Sequence, residues 1–271
     1  MEDKCMKKML AIAIMVALGG TCLCGNVAVS RETTYCDDGI MPLAELNTIT
    51  VNYKSKDENS FPMVMKHPNF TYSAHPSDCA CTAGSNVLGF YDRYDENLIP
   101  NHTAGTYFMG NFIYSSQDTG VYEVIRQLYD DMGTDSDGTT VAQFKSGMTK
   151  YCKRQGKSIS FTSCMKSGKF DYSTAKSYME ANLPVVLFCG GYNVASITPY
   201  GESDIITYYE STANHVMVGF GYKEISYTLE NGTSITYQYV TVASGVVAKD
   251  SGYYDISYNT KVNDAYAINI Y

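Results

Sequence analysis

The chain has 271 residues, 45% of them hydrophobic and 18% charged, enough apolar material for one substantial core or two small lobes around a cleft. Its formal net charge of −8 repels a phosphate backbone, so nucleic acid is not an expected partner. With 25 Tyr, 10 Phe and no Trp, the composition favours strands and half-exposed sheet faces.

Residues 1–30 have the form of an export signal. Lys4, Lys7 and Lys8 precede the apolar run Met9 to Leu18, and Ala28-Val29-Ser30 offers small residues to a signal peptidase. The run is shorter than the roughly 20 residues a stable span requires, so no membrane span is expected after cleavage. A lipoprotein reading through Cys22 is disfavoured, because its spacing from Leu18 is one residue too long. The expected location is outside the cell. The leader removes Cys5, Cys22 and Cys24 and leaves six cysteines: Cys36, Cys79, Cys81, Cys152, Cys164 and Cys189. Export permits disulfides, and Cys152 with Cys164 is a plausible bridge, although a chain of this length needs no staple.

Residues 31–60 are polar and weakly periodic, and read as an N-terminal extension or pro-segment before a domain at 61–271. Within them Leu46 to Tyr53 is a predicted strand and Lys54 to Ser60 a charged loop. Pro62, Pro68 and Pro76 keep the chain extended up to Asp78. Helices are predicted over 82–94, 121–131 and 140–154, where apolar residues recur at helical spacing and Gly156 ends the third. Asp135-Ser136-Asp137-Gly138 fails the spacing of a calcium loop and reads as a turn. Beyond Gly156 strands dominate: 159–162, 185–188, 215–222, then 227–229 and 235–243 around the hairpin turn Asn231-Gly232, and finally 253–258 and 265–271. One more helix is expected at 171–182, with Ser173 or Thr174 able to cap it. Helices first and strands second make an α+β fold.

The chain has four histidines. His67 and His75 each precede a proline, and His102 lies in a polar stretch. His215 alone is read as beginning an apolar strand, where it can face a cleft or be a structural residue satisfied by backbone. Cys79 stands directly before the strongest helix. The helix N-terminus carries roughly half a positive charge, which favours a thiolate, and its backbone amides, Ala80's among them, are suited to hold an oxyanion. The alternatives for Cys79 and Cys81 are a buried pair, a disulfide partner or, with His75, zinc ligands. No second ligand pair at zinc-finger spacing supports the last, and no metal or cofactor is expected.

Cys79-Ala80-Cys81-Thr82-Ala83-Gly84-Ser85-Asn86 resembles the Cys-Gly-Pro-Thr-Ala motif and following helix of bacteriocin-peptidase-like (double-glycine-peptidase-like) papain-fold proteins of bacteria. Asn214-His215-Val216-Met217-Val218-Gly219-Phe220-Gly221-Tyr222 resembles their His-Ala-Val-Val-Val-Gly-Tyr strand, and Leu183-Pro184-Val185-Val186 the strand before it. The resemblance spans about residues 61–271. It implies a two-lobe fold, with an N-terminal helical lobe and a C-terminal antiparallel sheet flanking an active-site cleft. It also implies a secreted cysteine peptidase acting on a peptide or protein, with Cys79 as nucleophile and His215 as general base. The family's upstream oxyanion Gln is replaced by Ser73, and its His-orienting acid by Ser244, with Asp250 able to substitute from the next loop. Because these two positions depart, a papain-fold binding module without turnover and an acyl-transfer or amidase enzyme using the same dyad stand as alternatives.

Overall fold

The computed structural model describes residues 32–35, 44–61, 67–71, 75–95, 97–246, 249–256 and 261–271, with the backbone alone at 44 and 249–251. The expected leader, Cys36 and Ser73 lie outside the described residues. In chain order the elements are β1 (Thr34–Tyr35), β2 (Ala44–Asn52), β3 (Ser55–Phe61), α1 (Cys79–Asp92), β4 (Gly105–Phe108), β5 (Asn111–Tyr114), α2 (Thr119–Met132), β6 (Thr139–Thr140) and α3 (Val141–Arg154). They continue as β7 (Ile159–Ser163), β8 (Met165–Lys166), β9 (Lys169–Phe170), α4 (Tyr172–Glu180), β10 (Val185–Pro199), β11 (Ser203–Thr228), β12 (Ser234–Val246), β13 (Lys249–Asp255) and β14 (Val262–Ile270). This is an α+β architecture, with four helices and a mostly antiparallel sheet among the described residues. No helix among them is long and apolar enough to cross a membrane.

The main sheet runs β2-β11-β12-β13-β10-β14-β7; β3 also pairs with β11, and β10 pairs directly with β11. The 26-residue β11 is its axis. On one face α1, α2 and α3 pack Leu88, Leu128 and Met148 against Phe188, Val216 and Val218. On the other, α4 packs Ala175 and Met179 against Val185, Leu187 and Met217. Strands covered on both faces need apolar side chains at every position, which is why 185–189 and 215–222 are continuous buried runs. Beyond the helices β11 alternates: Asp204, Ile206 and Tyr208 are buried and the residues between them are partly exposed.

Several expectations need correction. Lys54 to Ser60 is not a loop. Ser55 to Ser60 lies within β3, whose charged residues bind side chains of β11, Lys56 binding Asp204 at 2.7 Å and Glu58 binding Lys223 at 2.5 Å. His215 does not begin its strand, since β11 starts twelve residues earlier at Ser203. α4 is capped by Asp171, which accepts from the Thr174 amide at 3.3 Å, rather than by Ser173 or Thr174. Cys152 and Cys164 are not bridged. Both are free buried thiols, one among α1–α3 and the other in the cluster beneath α4. The other helix ends follow the expected chemistry: Asp118 caps α2, Gly133 ends it at φ 64, and Thr140 with Gln143 forms a capping box on α3. The Asn231-Gly232 hairpin forms as expected, with Thr228 opposite Ser234.

At the end of α1, Asp92 is fully buried and accepts the Ile99 amide at 2.9 Å. Desolvation raises its carboxyl to about 6. The unfolded chain ionises this group near its ordinary value of 3.8 and the folded protein ionises it later, so ionisation opposes folding. The cost grows between those two values and is complete above the higher one. Asp92→Asn keeps the acceptor and removes the ionisation penalty, and is expected to gain stability relative to wild type as pH rises from about 3 to about 7, the gain at neutral pH reduced by burying an amide NH2 where Oδ2 has no partner. Thermal melts of both proteins across that pH range check this.

Candidate active site

Cys79 is the first residue of α1 and is 3% exposed. Ser77, two residues earlier, holds the left-handed backbone region at φ 60, and its hydroxyl donates to the Ser136 carbonyl at 3.3 Å. That kink turns the extended chain abruptly into the helix, at a cost of roughly 1 kcal/mol for a non-glycine residue. Asp78 occupies the N-cap position, but its side chain makes no cap hydrogen bond, and no acidic residue stands in the first turn. Asp78 is thus the one acidic residue between the N-cap and the end of the first turn, and its carboxylate opposes the effect of the helix amides on a thiolate there. Ala80 follows as the second helical residue, fully buried.

The other four described thiols are buried, as Cys79 is. Cys81 packs against Met132 and Thr134, and burial pushes its thiol to about 12. Burial likewise raises Cys152 and Cys189 to about 12 and Cys164 to about 11. All four stay protonated at neutral pH and are poor nucleophiles.

His215 lies in the middle of β11, directly across the ladder from Cys189 on β10, and is 0% exposed. Its ring stacks on Tyr192 with centroids 4.5 Å apart. Its Nε2 lies 2.5 Å from the carbonyl oxygen of Ser244. A carbonyl can only accept, so Nε2 must carry the hydrogen, and in the neutral ring Nδ1 holds the lone pair. This assigns the tautomer and leaves Nδ1 as the basic atom.

Strand alternation puts His215 on the Met217 face of the sheet, while Val216 and Val218 face α1. The two sides meet at the end of β12. Ser244 holds the imidazole through its carbonyl, and Gly245, the next residue, abuts the first turn of α1. Gly245 has φ 74, and a Cβ there would stand 3.3 Å from Thr82 Cγ2. Glycine thus meets both the backbone conformation and the close approach. The Ser244–Gly245 corner joins the ring of His215 to the helical turn that Cys79 opens.

The orienting group was expected at Ser244 or Asp250. It is the backbone carbonyl of Ser244 that meets Nε2, while Ser244 Oγ accepts the Val246 amide at 3.1 Å. Asp250 is on β13, and its side chain lies outside the described residues, as does all of Ser73. Tyr192 was missed, although the Gly190-Gly191 pair before it marks the β-bulge that brings it beside His215. Tyr35 and Asn214 were missed as well: the Asn214 amide donates to the Thr34 carbonyl at 2.9 Å. The other histidines have local partners. His102 bonds Asp118 at 2.8 Å, His67 stacks on Phe220, and His75 lies against Tyr129. Among the described residues no three His, Cys, Asp or Glu side chains gather as a metal site. A cavity of about 350 Å³ beside α4, lined by Phe170, Tyr172 and Tyr254 among others, includes neither Cys79 nor His215 in its wall.

No protein-family model, no curated protein and no solved structure matches this chain.

Proposed function

We propose that the chain is an exported bacterial cysteine peptidase of papain-like, two-lobe type, in which Cys79 attacks the peptide carbonyl and His215 is its general base. The observation that carries this reading is the bond from His215 Nε2–H to the Ser244 carbonyl, which leaves Nδ1 as the lone-pair nitrogen. In the reaction the Cys79 proton passes to Nδ1 and the sulfur forms a thioester bond to the substrate carbonyl carbon. The oxyanion that develops is met by amides of the first turn of α1, including that of Ala80. The imidazolium returns its proton to the leaving amine as the C–N bond breaks. Water, deprotonated by the same nitrogen, then hydrolyses the thioester and regenerates the thiol.

The Ser244 carbonyl supplies a dipole where a carboxylate would supply a full charge. It orients the ring and favours the imidazolium less strongly, so turnover is expected to be slow. The complete burial of His215 favours a second reading, a binding module that retains the fold without turnover. Incubation with a peptide library, followed by mass spectrometry, separates the two. The peptidase reading expects fragments from the wild-type protein and none from Cys79→Ala. Identical, uncut libraries from both would leave the binding module. Products joined to an added amine acceptor would instead assign acyl transfer.

A further inference from the structure

We propose that the pocket holding Tyr35 is a substrate subsite beside Cys79 that receives an aromatic side chain on an extended peptide, and that residues 34–35 of the chain fill it in cis as a strap over the site. The proposal rests on the peptidase reading and adds to it a substrate class and a form of control.

β1 is two residues long and belongs to no part of the main sheet. It pairs antiparallel with β6, Thr34 opposite Thr140 and Tyr35 opposite Thr139. A further contact ties it beside the base: the amide of Asn214, adjacent to His215, donates to the Thr34 carbonyl. Backbone pairing on one side and a side-chain amide on the other is how an extended peptide is gripped at a strand edge.

The Tyr35 side chain enters a made pocket. It is 1% exposed and shares the cluster that contains Cys79. Its ring meets Phe188 edge to face at 5.2 Å. Its hydroxyl reaches the Asn263 side chain, and burial raises that hydroxyl to about 12, with both the Cys79 and the Cys189 thiols among its electrostatic neighbours. Asn263 is itself admitted by a missing side chain: a Cβ at Gly190 would stand 2.9 Å from its Nδ2. An aromatic wall and a polar group at its far end fit Tyr or Phe better than an aliphatic residue. Cys79 and His215 are 3% and 0% exposed; on this proposal it is the strap that covers the thiol, and a substrate reaches it when the strap leaves.

The test is alkylation of the full-length protein by iodoacetamide, read at each cysteine by mass spectrometry. Tyr35→Ala is expected to speed labelling of Cys79 by at least about tenfold while Cys152 stays slow, and Tyr35→Phe to remain within about twofold of wild type. The acetylated, amidated peptide Arg-Glu-Thr-Thr-Tyr is expected to protect Cys79 in Tyr35→Ala, and the same peptide ending in Ala to protect it much less. Asn214→Ala removes one hydrogen bond from a half-buried side chain; it is expected to raise Cys79 labelling a few-fold and keeps the test open should Tyr35→Ala not fold. Unchanged labelling in the variants, a parallel rise at Cys152, or equal protection by both peptides would overturn the proposal. Labelling needs no turnover. If Cys79 opens as expected but no peptide is cut, the peptidase reading falls and the subsite stands; if cutting is equally fast with and without Tyr35→Ala, the strap falls alone.

Discussion

His215→Gln is expected to lower kcat/KM for peptide cleavage by about 10²–10⁴-fold without loss of fold. Glutamine is chosen because its amide can still donate to the Ser244 carbonyl, as the imidazole Nε2–H does at 2.5 Å. It keeps most of the volume beside Tyr192, so the packing cost is small compared with alanine. It removes the nitrogen lone pair that takes the Cys79 proton. The companion variant is Ser244→Ala, which deletes a hydroxyl that accepts the Val246 amide and leaves the carbonyl in place. Its expected effect on kcat is no more than a few-fold, at the scale of one lost hydrogen bond. Steady-state kinetics of the two variants, with melting curves as the control for folding, distinguish an orienting backbone from an orienting side chain. Loss of activity in Ser244→Ala equal to that in His215→Gln would return the role to the hydroxyl.

The second large effect is structural. Asp204, on the first arm of β11, is 0% exposed; it accepts from Tyr227 Oη at 2.7 Å and pairs with Lys56 Nζ at 2.7 Å. Those partners come from the other arm of β11 and from β3, so one carboxylate fastens three separate stretches of chain. Asp204→Ala strands a buried phenol and leaves a partly buried ammonium without its counter-ion. The expected loss is about 3–5 kcal/mol, which for a domain of this size lowers the melting temperature by roughly 10 °C. Asp204→Asn keeps an acceptor for Tyr227 and is expected to lose distinctly less. Urea denaturation of the two variants checks the order, and equal stability of Asp204→Ala and wild type would remove Asp204 from this role.

The same region shows what sequence pattern makes legible. The central parts of β10 and β11 were readable because helices cover both faces, and a doubly covered strand is an unbroken apolar run. The first arm of β11 was not readable. Ser203 to Ser211 carries Thr, Tyr and Ser on the face that water reaches, and alternation this polar resembles a loop. β3 was hidden for a sharper reason. Lys56, Asp57 and Glu58 are the composition of a solvated turn, and they become a strand because β11 offers partners at matching register, Lys223 among them. Propensity yields there to tertiary pairing. At the candidate site, Cys79 and His215 stood out through their residue types and flanking patterns. The Ser244 carbonyl could not, since a backbone group has no letter in the sequence. Tyr35 could not either, because two residues of strand separated from β6 by about a hundred residues leave no periodic trace.

Catalysis here requires a proton to pass between Cys79 and His215, and the pH dependence of Cys79 alkylation tests that transfer most directly. Burial of the thiol slows labelling at every pH and by itself raises the inflection, whereas an adjacent imidazolium lowers it. In the wild-type protein that inflection is expected below the ordinary thiol value of about 8.5, and in His215→Gln it is expected to move up to that value or beyond. Superimposable profiles for the two proteins would mean that His215 does not act on Cys79, and the peptidase reading would fail with it.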